Sequence, residues 1–294
     1  MTGPSPFVRR RWLGQEIRRL RAEHDMSAEQ LARALGFPRQ QLSALENGHR
    51  GPDIDLVDGI CDYLRVGAKR REEIIAAATD GWAIGWWEPD AAKMGHRQAR
   101  YADLESGTQS ISEYALALIP GLLQTPEFTD ARNRADPARQ PDTFDPMTSV
   151  RARTRRQQLL LAPSGPVYDL VLDEIAVRRC AAEPPIVAAQ LRHIADLCAT
   201  HQNISVRVLP VDAAIKGHSA PRSAYSLYRY RDANATFAVA VDTLTSDLVL
   251  TMPDEVDAYR QLHSRLKVVT LTPEASLRML QDVAEQLGRK EGAP

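Results

Sequence analysis

The sequence predicts an α+β protein in two parts. An all-α region of five helices spans residues 1–81, and a larger α+β domain with a mainly antiparallel sheet spans 82–294. Three observations lead there. Apolar residues recur at helical spacing as far as Ala78. Beyond that point, short alternating runs come in groups without a helix between each. The 294 residues are also too many for one small helical domain, and leave room for a second with a sizeable core.

In the first part, Leu13, Ile17 and Leu20 are spaced four and three apart, so 12–24 reads as an amphipathic helix. The stretch 27–48, SAEQLARALGFPRQQLSALENG, is the most informative in the chain. Ser27 suits an N-cap, and Gln30 can complete a capping box. Leu31 and Leu35 share a face, and Ala32 is small enough for a close helix crossing. Gly36 marks a sharp turn that needs positive φ, and Pro38 suits the first turn of the next helix. Leu42 and Leu45 point into the same small core, and Gly48 follows the helix end. Val57, Ile60, Cys61 and Leu64 predict a helix over 53–65, with Asp53 and Asp55 near its positive end. Ile74, Ile75 and Ala78 predict another over 69–79.

The join falls near Asp80-Gly81. Trp82, Trp86 and Trp87 follow it and are expected to form an aromatic wedge between the domains; the alternative is an exposed, partner-binding cluster. Further on, 88–106 is weakly helical, 109–119 reads as a strand, Pro126 opens a short helix, and 145–162 is helical. Residues 167–175 read as a strand running into a helix start. Val187, Leu191, Ile194 and Cys198 mark an amphipathic helix. Strands are expected at 203–210, 224–230, 236–241 and 248–250, and helices beginning near Pro253 and Pro273 close the chain.

Two helices joined by a glycine-centred turn form a helix-turn-helix, whose usual task is to set the second helix in the DNA major groove. Its outer face would carry Arg39, Gln40, Ser43 and Ala44. Arginine can bond guanine O6 and N7 together, and glutamine can do the same at adenine N6 and N7. Arg39 and Gln40 are therefore the base-reading candidates, with Ser43 a weaker third. Ser27, Gln41, Asn47 and Arg50 are the candidates for the DNA backbone. The net charge of −1 gives no global sign of nucleic-acid binding, but residues 1–50 hold nine Lys or Arg against five Asp or Glu. Residues 51–80 hold four against seven, so the basic character is local. Arg9, Arg10 and Arg11 read equally as a phosphate contact or a solvated tail.

Catalysis is not expected. Asp173 and Glu174 are explained by a helix start, and His193, His201 and His218 lack zinc-site spacing. No cofactor or metal is implied. The arginine run at 151–156 has two readings, an anionic-partner contact or a solvated helix face. Cys61, Cys180 and Cys198 lie far apart without metal-ligand spacing, and Cys61 and Cys198 fall on apolar helix faces. A reduced, cytoplasmic setting is expected, with no membrane span, since no apolar run reaches about 18 residues.

LGQEIRRLR and LARALGFPRQQLSALENG resemble the lambda-repressor and Xre type of DNA-binding domain. In two places the pattern departs from that type. Ala28 stands where a phosphate-contacting glutamine is usual, and Pro38 where Ser or Thr caps the recognition helix. WWEPD at 86–90, IPGLLQTPEF at 119–128, RARTRRQQLLL at 151–161 and VLDEIAVRR at 171–179 resemble the C-terminal domain of WhiJ-like actinobacterial regulators. AAQLRHIADL, ISVRVLP and TPEASLRML continue that match. This resemblance implies a regulator paired, antitoxin-like, with a small partner protein from an adjacent gene. The expectation is a sequence-specific regulator that binds double-stranded DNA as a homodimer and whose larger domain senses an effector or partner. The alternative is a protein-interaction module that neutralises the small partner, with DNA binding secondary.

Overall fold

The computed structural model describes residues 5–48, 51–82, 84–135, 142–218, 220–231, 237–243 and 247–289. The chain divides into two compact units. One comprises Met1–Glu88 with Asp103–Thr108 and Tyr230–Thr236, and the other holds the remainder.

The first unit is built on five helices: α1 (Pro6–Glu23), α2 (Ala28–Ala34), α3 (Arg39–Glu46), α4 (Ile54–Tyr63) and α5 (Ala68–Asp80). α1 starts well before residue 12, because Ser5 caps it and Pro6 occupies its first position. The Ser5 hydroxyl accepts from Val8 N at 3.1 Å. Asp53 caps α4 by accepting from Asp55 N and Leu56 N. The core is the one the spacing implies. Leu13, Ile17, Leu31, Leu42, Ile60 and Ile74 are each fully buried, and Cys61 packs among them. Every helix contributes apolar residues at three- and four-residue intervals, so no helix covers its stripe without the others.

The second unit holds α6 (Ala91–Met94), most of α7 (His96–Glu105), α8 (Pro126–Ala135), α9 (Pro146–Leu161), α10 (Glu174–Arg178), α11 (Pro184–Thr200), α12 (Pro253–Val269) and α13 (Pro273–Arg289). Its strands, apart from the end residues Thr108 and Tyr230, are β1 (Thr108–Ala115), β2 (Val167–Asp173), β3 (Ile204–Leu209), β4 (Tyr225–Tyr230), β5 (Phe237–Val241) and β6 (Leu248–Leu250). They form one sheet in the order β3-β2-β1-β4-β5-β6.

The α+β class holds, and antiparallel pairing describes β4–β5 and β5–β6. The other half differs from the mainly antiparallel expectation, since β1–β2 and β2–β3 are parallel. The reason lies in the connections. α8 and α9 separate β1 from β2, and α10 and α11 separate β2 from β3, giving the long crossovers that parallel neighbours need. The edge strand β3 is covered: Val208 N donates to Ser276 Oγ at 2.8 Å, and Leu271 N donates to Val208 O at 2.9 Å. Both groups would otherwise offer an open sheet edge.

Part of the arginine run proves to be interior. Arg151 and Arg155 are exposed, but Arg156 is buried and Arg153 half-buried. Both of the latter donate to Gln98 Oε1, at 3.1 Å from Arg153 and 3.2 Å from Arg156. Gln98 Nε2 in turn donates to Ser149 O at 2.8 Å and Ser149 Oγ at 3.0 Å. The Arg156 guanidinium also lies 5.6 Å from the Tyr101 ring centre. A buried cation survives here because its hydrogen bonds and an aromatic face replace water.

Candidate nucleic-acid interface

α2 and α3 form the helix-turn-helix. Ser27 Oγ accepts from Gln30 N at 3.2 Å, and Gln30 Oε1 accepts from Ser27 N at 2.8 Å, completing the capping box. Gly36 turns the chain at φ +69°, and Gly48 follows α3 at φ +65°. A side chain at either position would be strained. Pro38 precedes α3 and gives it no side-chain cap; Gln41 N donates to Pro38 O at 2.9 Å, which leaves the Arg39 and Gln40 N–H groups for an outside acceptor.

Leu42 and Leu45 face inward, while Arg39, Gln40, Gln41 and Ser43 are exposed and Ala44 is half-buried. Among the described residues, the side chains of Arg39, Gln40 and Gln41 have no hydrogen-bond or ion-pair partner. They present one guanidinium and two amides together at the start of α3. Ser43 and Asn47 are engaged with each other: Asn47 Nδ2 donates to Ser43 O at 2.7 Å and to Ser43 Oγ at 3.3 Å. Asn47 Oδ1 also accepts from Arg18, so this side chain is committed to finishing α3. Ser27 is exposed with its hydroxyl in the capping box. Arg50 lies outside the described residues.

The far end of α3 is held by α1. Glu46 is buried at 7% exposure. Arg21 grips it with two bonds, Nε to Oε1 at 2.8 Å and Nη2 to Oε2 at 3.2 Å, and Arg18 adds a third at 3.4 Å. Gly14 is where the two helices touch, since a Cβ placed there would lie 2.4 Å from Glu46 O.

Arg9, Arg10 and Arg11 are not a tail, and each has a partner within the protein. They belong to α1 and are half-buried. Arg11 donates to Asn47 O at 3.3 Å and Arg10 to Gly81 O at 3.1 Å, the carbonyls that end α3 and α5. Cations are favoured at such termini. Arg9 pairs with Asp80. Glu16 ties α1 to α5 through Arg70, with Nε 2.5 Å from Oε1, and also binds Arg19. Burial pushes the Glu16 carboxyl up, but these two arginines outweigh it and hold the pKa below 4.5. Gly14, Arg21 and Glu46 were not singled out in the sequence. A glycine inside a strongly patterned helix was the one available signal for this contact.

Trp82 lies over Gly51, and its Nε1 donates to Pro52 O at 2.5 Å. Trp86 and Trp87 meet edge-on at 6.0 Å, with Trp87 buried. Among the described residues there is no group of His, Cys, Asp or Glu able to hold a metal ion, and no helix long and apolar enough to cross a membrane.

Residues 12–74 match a helix-turn-helix domain, which fits the geometry of α2 and α3. Residues 98–282 match the family described as a domain of unknown function, DUF5753, and the chain belongs to that family. Among curated proteins it is similar to the antitoxin PezA of Streptococcus pneumoniae serotype 4 (strain ATCC BAA-334 / TIGR4). The identity is 37% over 54 residues, covering 18% of this chain. The chain spans about a third (34%) of that relative's length. No solved structure matches the chain.

Proposed function

We propose that this protein is a sequence-specific, DNA-binding transcriptional regulator of the WhiJ-like type, acting in the cytoplasm. Residues 1–81 bind double-stranded DNA, and residues 82–294 receive the regulatory signal from an effector or a partner. The carrying observation is the face of α3, where exposed Arg39, Gln40 and Gln41 have no partner within the described residues while Leu42 and Leu45 fix the helix from behind. In the major groove Arg39 and Gln40 read bases, with Ser43 beside them. Ser27, Gln41 and the opening N–H groups of α3 meet the backbone, as would Arg50, while Asn47, engaged with Ser43 and Arg18, sets the end of α3. One helix reads only a short half-site, so a homodimer with half-sites ~34 Å apart, or a multiple, is expected.

Selection of bound sequences from a random DNA pool at stated salt, followed by binding to the selected site, tests this reading. Arg39→Ala should cost about 1–3 kcal/mol and relax specificity at one base. Equal loss on selected and random DNA would remove Arg39 from the base-reading role.

A second reading is favoured by the similarity to an antitoxin. In it, the chain chiefly neutralises a small partner protein encoded by an adjacent gene. Co-expression with that gene product and pull-down separates the two: a stable complex with no sequence preference for DNA supports the second.

A further inference from the structure

Strand alternation places Tyr114, Val171 and Val239 on the sheet face where Leu266 of α12 packs. Farther along the same faces the side chains become polar. Ser110 and Ser112 on β1, Asp169 on β2 and Arg229 on β4 line a cavity of about 310 Å³, roofed by His263 and Lys267 of α12. Its size falls at the small end of ligand pockets, roughly 300–1,000 Å³. Serines on a central strand are a poor way to close a core, and here neither hydroxyl has a partner among the described residues.

The charges are uneven. Lys267 Nζ lies 2.5 Å from Asp169 Oδ2, so that pair balances itself. Arg260 pairs with Asp257 at 2.6 Å and lies 4.6 Å from the Phe237 ring centre, at the cavity's aromatic wall. Arg229 is exposed and has no hydrogen-bond or ion-pair partner among the described residues, so its guanidinium is available to an incoming anion. His263 is 5% exposed, and its buried Nε2 has no hydrogen-bond partner. Asp169 Oδ2 lies 3.7 Å from it, beyond hydrogen-bond length. His263 Nδ1 meets the Tyr225 hydroxyl at 3.4 Å. When Nδ1 accepts from that hydroxyl, Nε2 carries the proton and can donate to an anion.

We infer that this cavity binds a small organic anion, a carboxylate or phosphate on an apolar or aromatic body. Arg229 and His263 Nε2 hold the anionic group, the serines add hydroxyl donors, and Phe237 and Leu227 face the body. For its regulatory sense this rests on the second unit being a signal receiver. Binding is measured without DNA, so failure of anion binding and failure of DNA recognition are separate results.

The test is calorimetric titration of the full chain with phenyl phosphate, benzoate and uncharged benzyl alcohol. Saturable one-site binding of at least one anion, with benzyl alcohol inert, is the expected result, and the anion preferred tells phosphate from carboxylate. Arg229→Ala should weaken binding at least about tenfold, as loss of a charge-assisted contact does. Arg278→Ala, an exposed arginine of α13, should not. Circular dichroism checks that both variants fold. Absence of saturable binding by either anion, equal binding of benzyl alcohol, or unchanged affinity in Arg229→Ala overturns the inference.

Discussion

Arg21 of α1 and Glu46 of α3 meet through two parallel hydrogen bonds of 2.8 and 3.2 Å, with the carboxylate almost wholly withdrawn from water. Removing one member of a buried pair leaves the other charged without compensation. Arg21 is partly exposed, which reduces that penalty. Glu46→Ala should therefore destabilise the first unit by about 2–3 kcal/mol, read as a lower midpoint in urea unfolding.

Two glycines of the first unit should respond differently to alanine. At Gly14 the new methyl would strike backbone, with Glu46 O at 2.4 Å and Leu45 O at 2.8 Å. α1 and α3 must then separate, and a loss of about 3 kcal/mol or more is expected. At Gly36 nothing lies within 4 Å, and only the φ of +69° opposes the change. About 1 kcal/mol is expected there. Thermal melting of the two variants should give the order Gly36→Ala above Gly14→Ala.

Acid should weaken the link between α1 and α5. The Glu16 carboxyl is held below its ordinary 4.5 in the folded protein, because Arg19 and Arg70 outweigh burial. Its contribution is therefore fully present above pH 4.5 and is lost as pH falls through the depressed folded value. Unfolding measured across that window should show a steeper loss of stability in the native chain than in Glu16→Gln. Equal slopes would deny Glu16 this part.

The three thiols should separate by reactivity. Burial pushes Cys61 and Cys198 up to about 11, whereas Cys180 is exposed. The thiolate is the reacting form, so a maleimide at neutral pH should label Cys180 first. Mass spectrometry after a short exposure, with Cys180→Ser as the control, reads this directly.

Much of the fold was legible because local rules act locally. The Ser27–Gln30 capping box, the turn at Gly36 and the inward Leu42 and Leu45 were read from spacing, and so were β1–β6 in outline. The parallel pairing of β1 with β2 and of β2 with β3 was missed because strand signals carry no direction; the helices between them carry it. Cys198, expected in the core, is half-buried, since an apolar helix stripe fixes a direction but not a depth. The arginine run at 151–156 reads in sequence as an anionic-partner contact or a solvated face; the burial of Arg156 rests on partners distant in sequence, Gln98 and Tyr101 among them. The unpaired Nε2 of His263 is likewise a fact of tertiary placement. At the candidate interface, sequence indicated which residues point outward but not how α1 fixes the helix that carries them.

On α3 the residues that hold the helix and those that face outward are different residues. Leu42, Leu45 and Glu46 bind it to the protein, and Arg39, Gln40 and Gln41 bind nothing within the described residues. Exchange of the outward three should therefore leave melting behaviour almost unchanged. A lineage can drift toward new target sequences at these positions without passing through a misfolded ancestor.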